Sequence, residues 1–399
     1  MRFLTTGIVS ALLACTGGAM LLIQAAESAG LSNEAKLSWF FSVYVIGGLL
    51  NAILTLMFKI PFAGAHSITG IAFIGTVAAD YSWPVLTGGF VLSGAIILAA
   101  GASGLFSKAF QAIPKPMIDA LLAGLLLTYV LNIVPAAVKL PISGLFAVAG
   151  YFLLPRLTNL LSPPIWAMLM GGVGLLLERE LPVRVALFTD FAFPNLLVPE
   201  FTWVGLFSIA LPLSLIVMSN DLAVAFAALK SHRFDPPVNR AMAASGLASA
   251  AAGLFGGHAA NVGGMMTALC SSSEAGDLSS RRKAALVSNG MVIAFGLCSW
   301  KMIEFIQMLP AAFIALMTGF PILGLFMISV KSVLKHRSYL VSSIVTFAIA
   351  ALHLSVLGVS TPVWALLAGV LTWQLFSRMR KSSRRLDEEN VYPRTSAPN

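Results

Sequence analysis

Apolar runs recur along this chain from one end to the other, and they restrict its fold more than any other feature. Each run has about 20 residues, enough to cross a bilayer as an α-helix whose backbone N–H and C=O groups bond within the segment. Only 10% of the 399 residues are charged, while 58% are hydrophobic. The sequence therefore predicts an all-α polytopic membrane protein with little mass outside the bilayer.

The apolar runs divide into about fourteen predicted transmembrane spans. The first resembles a signal peptide with a lipoprotein cleavage site before Cys15, but we interpret it as a retained helix because the repeat described below needs it. The spans are 4–26, 38–57, 60–79, 85–107, 114–134, 141–158, 163–178, 203–229, 238–255, 257–273, 283–304, 308–330, 338–357 and 361–377.

The basic residues are distributed asymmetrically over the predicted connections. If the N-terminus is inside, all but five of the 25 Lys and Arg residues fall on the same side, the exceptions being Lys36, Lys139, Arg179, Arg184 and Lys301. The positive-inside rule then places both termini in the cytoplasm of a multi-pass cell-membrane protein. The net charge of +9 is thus expected to face membrane lipids rather than nucleic acid.

A glycine-framed pattern occurs once in each half of the chain. Phe62-x-Gly64, followed six residues later by Gly70, returns 193 residues further on as Phe255-x-Gly257 and Gly263. This pattern pairs span 3 with span 10, and an Ile-Pro or Leu-Pro start pairs span 5 with span 12. Two sets of seven spans form inverted repeats, and paired interrupted segments are typical of transporter binding sites. Spans 3 and 10 are therefore predicted to be broken by short extended segments.

The two broken spans are predicted to form an anion site. Ser67 or Thr69 would cap a helix in the first and Asn261 a helix in the second, and helix N-termini attract negative charge. The alternative is a pair of glycine-packed kinks without a ligand. The predicted substrate-binding residues are His66, Ser67, Thr69, Gly70, Asn220, His258, Asn261 and Gly263.

Asp221, in predicted span 8, is the candidate for carrying a proton. A carboxylate inside a membrane is unfavourable, so it marks a functional site by default. The alternative without a functional role is an Asp that reaches cytoplasmic water from a helix end. His66 and His258 are competing proton carriers, since histidine titrates near neutral pH. Asp119 is interpreted as a local ion pair with Lys115.

These residues and their surroundings resemble the BenE-like family of benzoate/proton symporters. The matching stretches cover nearly the whole chain and are densest around span 10. They are Ala29-Gly30-Leu31-Ser32, Ser38-Trp39, Ser67, Gly70, Ala72, Phe255-Gly256-Gly257, Ala259, Asn261, Thr267-Ala268, Cys270, Glu274-Ala275, Asp277 and Arg281-Arg282. The resemblance implies the fold of nucleobase and sulfate transporters, in which a core domain holds both broken spans. It gives core parts at 1–112 and 201–305, gate parts at 113–200 and 306–380, and a cytoplasmic tail at 381–399.

The chain departs from the family pattern at the predicted site. His66 replaces a Trp, Ile68-Thr69 replaces Thr-Pro, His258 replaces a Phe, and Asn220-Asp221 replaces Gln-Asn. These changes make the pocket more polar, so a smaller or more polar organic anion fits as well as benzoate.

The sequence thus predicts a secondary active transporter, a proton-coupled importer of a small organic anion, with no catalytic residues and no cofactor. An uncoupled anion channel or exchanger of the same fold is one rival. A membrane-embedded metal enzyme is another, although the sequence has no His-Glu-x-x-His or Gly-x-Ser-x-Gly signature. The oligomeric state, a homodimer included, is left open.

Overall fold

Helices are the only regular secondary structure in the described part of the chain, which confirms the predicted all-α fold class. The structure, a computed structural model, describes residues 2–104, 114–158, 161–178, 193–352 and 361–391, with side chains up to Ser377 in the last range. Lys108, Arg179, Arg184 and the tail from 392 onward, on which part of the topology prediction rests, lie outside the described residues.

The helices follow the order of the predicted spans. Those of the first half are α1 Arg2–Leu13, α2 Ala19–Ser28, α3 Asn33–Phe58, α4 Ile68–Val77, α5 Trp83–Ser103, α6 Lys115–Leu131, α7 Ile133–Lys139, α8 Pro141–Phe152, α9 Leu154–Leu157 and α10 Pro163–Glu178. Those of the second half are α11 Trp203–Gly205, α12 Leu211–Ile216, α13 Ala223–Ser231, α14 Val238–Gly253, α15 Gly264–Ser271, α16 Leu278–Leu297, α17 Ser299–Gln307, α18 Ala311–Lys335, α19 Leu340–Ala351 and α20 Thr361–Val391.

Several helical runs are long and apolar enough to cross a membrane. Among the described residues there are six, or seven if the bent pair α16–α17 counts as one span. The six are Arg2–Ser28, Asn33–Phe58, Trp83–Ser103, Lys115–Lys139, Trp203–Ser231 and Ala311–Lys335. Other predicted spans correspond to shorter apolar helices, so the count of fourteen stays a prediction.

Three predicted spans depart from a regular, straight α-helix. Predicted span 11 bends by 73° between α16 and α17, where Cys298 leaves the helical region. Predicted span 8 contains two π-helical turns, Leu206–Ala210 and Val217–Leu222. A further π-helical turn, Ala14–Gly18, lies in predicted span 1. Such turns widen a helix locally and are frequent at functional sites.

Two non-helical segments meet inside the molecule. We call residues 60–67 the first crossing segment and residues 257–263 the second. The second segment donates two backbone hydrogen bonds to the first: Asn261 N–H donates to the Ala65 carbonyl at 3.1 Å, and Gly263 N–H donates to the Ala63 carbonyl at 3.0 Å. Buried backbone groups need such partners, and here the second segment supplies donors and the first supplies acceptors.

Side chains from neighbouring helices also bond to backbone groups of the two segments. The Thr267 hydroxyl donates to the Ala63 carbonyl and accepts from the Ala63 N–H. The Asn51 amide donates to the Asn261 carbonyl at 2.9 Å, and the Asn289 amide donates to the Phe62 carbonyl at 3.0 Å. The crossing is therefore fixed by helices from both halves of the chain.

Glycine is required where the two segments touch. A Cβ atom added to Gly64 would lie 2.3 Å from the Gly263 nitrogen and 2.5 Å from the Asn261 oxygen. These distances are shorter than any van der Waals contact, and the atoms concerned are backbone, so no side chain can move aside. Gly64 thus lets two backbones approach to hydrogen-bonding distance.

The two helices that follow the crossing segments begin differently. Ser67 is the N-cap of α4, and its hydroxyl accepts a hydrogen bond from Gly70 N–H at 2.8 Å, as the sequence predicted. In contrast, the N-cap of α15 is Gly263, with no side-chain cap. The prediction that Asn261 caps this helix is wrong, because Asn261 lies three residues before the first helical residue and still belongs to the crossing segment.

Candidate functional site

Both of these helix N-termini line one cavity. It has a volume of about 330 Å³, and it is lined by Ile68 and Thr69 of α4 and by Gly263, Gly264, Met265 and Met266 at the start of α15. Such a volume lies at the lower end of the range for small-molecule sites. The first N–H groups of each helix have no intrahelical acceptor and attract anions. The remaining lining residues are Leu13, Ala14, His66, Lys115, Asp119, Leu122, Asn220, Asp221, Val224, Leu325, Ile328, Ser329 and Ser332.

The Asp221 carboxyl group lies at this cavity, in the π-helical turn Val217–Leu222. The Ser67 hydroxyl donates a hydrogen bond to Asp221 Oδ2. Because the same hydroxyl accepts from Gly70 N–H, it connects the carboxyl group to the N-terminal cap of α4. Asp221 is only 8% exposed, so the structure does not support an Asp that reaches cytoplasmic water from a helix end.

Two further predicted residues lie around the same carboxyl group. The Thr69 hydroxyl, 3.2 Å from the Ser67 hydroxyl, and the Asn261 amide lie beside it. Asn261 is fully buried. Asn220 lines the cavity, and its amide donates to the Ser219 hydroxyl at 3.1 Å. Asp221 thus has several polar groups from both halves of the chain as neighbours.

His258 is held by hydrogen bonds on both ring nitrogens. Trp39 Nε1–H donates to His258 Nδ1 at 3.1 Å, so Nδ1 is an acceptor. His258 Nε2 therefore carries the hydrogen and donates to the Ser67 carbonyl at 3.0 Å. The ring is fully buried and does not line the cavity, although the sequence predicted it as a substrate-binding residue.

His66 does line the cavity, and its hydrogen bonding also fixes its tautomer. The Tyr44 hydroxyl donates to the Ala14 carbonyl at 2.7 Å, so it can only accept from His66 Nε2, which lies 3.0 Å away. In the neutral ring Nδ1 is then an acceptor. This buried atom has no hydrogen-bond partner among the described residues.

Of the two glycines predicted to bind substrate, Gly263 lines the cavity and Gly70 does not. A Cβ atom added to Gly70 would meet Leu213 Cδ1 and Ser67 Oγ at 2.8 Å, and Gly70 does not line the cavity. One added to Gly263 would meet Gly64 Cα at 3.2 Å and the Ala63 oxygen at 3.3 Å. A side chain at either position would therefore first meet neighbouring protein atoms.

The Lys115–Asp119 ion pair predicted from the sequence is present, and it lies at the cavity, which was not predicted. Lys115 Nζ is 2.9 Å from Asp119 Oδ1, one helical turn along α6. Ser332 of α18 donates to Asp119 Oδ2 from the other side. The sequence signal that singles out these two helices is the proline-containing start shared by predicted spans 5 and 12.

No metal centre is evident in the described residues. Within them, no group of three or more His, Cys, Asp and Glu side chains is arranged to hold a metal ion. His66 and His258 lie close together, with ring centroids 5.2 Å apart. One nitrogen of His66 and both of His258 are hydrogen-bonded to protein.

Comparison with known proteins identifies the family. Residues 1–375 match the benzoate membrane transport protein family, BenE. The chain belongs to this family. It is 24% identical over 380 residues to the benzoate membrane transport protein of Acinetobacter baylyi, covering 94% of this chain and 95% of that one. It is 26% identical over 386 residues to the inner membrane protein YdcO of Escherichia coli, covering 96% and 97%.

The fold of this BenE-family chain also has a counterpart among solved structures. It is similar to the transmembrane domain of the cyanobacterial bicarbonate transporter BicA, with a TM-score of 0.59 and 16% identity. The similarity covers 92% of this chain and 97% of the other. The protein is thus a membrane transport protein, not an enzyme, in agreement with the sequence-based prediction.

Proposed function

We propose that this BenE-family protein imports a small organic anion together with a proton. The observation that carries the proposal is the contact between Ser67 and Asp221. Through it, a buried carboxyl group lies next to the helix N-termini that would hold the anion. Two like charges about 4 Å apart repel by roughly 1 kcal/mol in water and by about 4 kcal/mol near a protein surface. An anion therefore binds more tightly when Asp221 is protonated.

Thermodynamic linkage makes this preference reciprocal. If protonation of Asp221 strengthens anion binding, the bound anion strengthens proton binding by the same factor. A repulsion of about 1 kcal/mol corresponds to roughly a fivefold change in affinity, and larger values follow as water is excluded. If the protein changes between its inward-open and outward-open states only when it is empty or holds both the anion and the proton, the two fluxes are coupled.

The cavity lining supports a benzoate-like or other small organic anion as the substrate. Leu13, Ile68, Leu122, Leu325 and Ile328 provide apolar walls for an organic body, while the helix N-termini suit a carboxylate. The relative from Acinetobacter baylyi is named for benzoate, which makes benzoate the first substrate to test. The polar side chains of His66 and Asp221 favour a more polar anion as the next substrate to test.

The packing of the helices supports the predicted division into a core and a gate. Within 1–112 and 201–305, α5 packs against α14, α3 against α16, and α13 against α15. Within 113–200 and 306–380, α6 packs against α18 and α19, and α8 against α10. The cavity is lined from both groups, so we propose that movement of the core against the gate provides alternating access. In the cell membrane, both termini would be cytoplasmic.

Uptake by proteoliposomes tests the coupling. We expect labelled benzoate to accumulate when the interior is alkaline and to stop accumulating when an ionophore collapses the pH gradient. Asp221→Asn should still bind and exchange benzoate but should not accumulate it, since an amide cannot release a proton. Asp80→Asn, which changes an exposed carboxylate in the short 3₁₀ turn after α4, is the matched control and should accumulate normally.

Three results would contradict parts of this proposal. An uptake rate and extent that do not depend on the pH gradient would favour an uncoupled channel or exchanger of the same fold. Accumulation by Asp221→Asn but not by a His66→Gln or His258→Gln variant would assign the proton to histidine. Wild-type protein that transports no organic anion would reject the substrate class.

A further inference from the structure

The gate side of the cavity carries one fixed positive charge. Among the described residues that line the cavity, Lys115 is the one Lys or Arg, and it lies at the first position of α6. Its side chain is 50% exposed, whereas that of its partner Asp119 is 3% exposed. An ammonium group has three N–H donors, so a half-exposed lysine paired with one carboxylate can still reach a second.

Asp119 is the more firmly held member of the pair. It accepts from Lys115 Nζ at 2.9 Å and 3.2 Å, and it also accepts from the Ser332 hydroxyl of α18. Ser332 and Ser329, one turn apart on α18, line the cavity beside it. The carboxylate is thus fixed between α6 and α18, while the lysine side chain stays half exposed at the cavity.

We propose that Lys115 is a second anion subsite, on the gate side of the cavity, and that Asp119 competes within the protein for its ammonium group. A substrate carboxylate would occupy this subsite while it moves between the helix N-termini and the opening on the side of Lys115. The competing carboxylate keeps binding there weak, so that the anion leaves. This inference rests on the proposed function, because it assumes that the cargo carries a carboxylate.

The competition predicts opposite effects for the two partners. Asp119→Asn keeps the size of the side chain and the contact with Ser332 but removes the negative charge, so Lys115 should bind carboxylate at least about fivefold more tightly. Lys115→Gln should weaken binding by at least about fivefold. The double variant should behave like Lys115→Gln alone, because Asp119 acts only through Lys115.

Isothermal titration of the full-length protein in detergent measures these affinities, with benzoate, nicotinate and acetate as the probes. Lys139→Gln, an exposed lysine at the end of α7 in the same half of the gate, is the matched control and should bind like wild type. Ser332→Ala loosens Asp119 without removing a charge, so it should tighten binding slightly even if Asp119→Asn folds poorly. In uptake assays, tighter binding should lower KM and also lower the turnover rate, because release slows.

The outcomes separate this inference from the proposed function. Wild-type protein that binds none of the three carboxylates contradicts both. Wild-type binding that is unchanged in Lys115→Gln rejects the subsite alone. Asp119→Asn or Ser332→Ala variants that are folded and bind more weakly than wild type would show that Asp119 positions Lys115 rather than competes for it.

Discussion

Ser67 connects two features that the sequence presents separately, a helix cap and a membrane-embedded carboxyl group. Its hydroxyl accepts from Gly70 N–H and donates to Asp221. The cap could be predicted from residue type and position, because Ser at the end of a glycine- and proline-containing stretch favours a helix start. The contact with Asp221 could not, since 154 residues separate the two in the chain.

Removal of the Ser67 hydroxyl tests this connection. Ser67→Ala should destabilise the protein by about 1 kcal/mol through loss of the cap, and should impair proton-driven uptake because Asp221 loses its donor. Ser32→Ala is the matched control, because Ser32 caps α3 from an exposed position with no carboxyl group attached. Thermal unfolding and benzoate uptake are the measurements. Equal transport by both variants would show that the Ser67–Asp221 contact has no role in coupling.

Residue-level prediction was least successful for the two histidines. Residue type made both of them equal candidates for substrate or proton binding. The structure distinguishes them, because Trp39 and the Ser67 carbonyl occupy both nitrogens of His258, while His66 faces the cavity with Nδ1 unpaired. Such differences depend on distant partners, Trp39 on α3 among them, which hydropathy and local spacing do not identify.

At the scale of elements, the contact between the two crossing segments depends on the absence of a side chain at one position, Gly64. Gly64→Ala should destabilise the protein by roughly 1–3 kcal/mol, because the added Cβ atom would overlap the backbone of the second segment. Gly290→Ala, in the interior of α16 with nothing within 4 Å of the new atom, is the matched control. It should leave the unfolding temperature unchanged or raise it, since alanine favours helix. Equal unfolding temperatures would contradict the close approach seen here.

Most elements could be predicted from apolar run length and from Pro, Gly and Ser positions. Predicted span 7 coincides with α10, and α14 starts at the predicted residue, Val238. The 73° bend after α16 was missed, because the chain has no proline there and apolar residues continue through it. The start of α15 was also misplaced, because Asn261 is used for pairing with the first crossing segment rather than for capping.

At the scale of the whole molecule, the predicted orientation can be tested at two exposed positions. Glu274→Cys, before α16, should be labelled only from the cytoplasmic side, and Lys139→Cys only from outside. The background is a variant without Cys15, Cys270 and Cys298, so that a membrane-impermeant maleimide reports one site at a time. Labelling of Glu274→Cys in intact cells would show that the orientation is the reverse of the predicted one, with the side of Lys115 outside.

The hydrogen bonds between the two crossing segments also affect how the protein is made. During synthesis, the first segment enters the membrane well before the second, whose matching pattern lies 193 residues later in the chain. Until then, the carbonyl groups of Ala63 and Ala65 lack the amide partners that they have in the finished fold. An N-terminal half expressed alone should therefore be degraded or retained by the insertion machinery. Two separately expressed halves, split between α10 and α11, should rescue one another, since the second half holds the amide donors that the carbonyl groups of the first half lack.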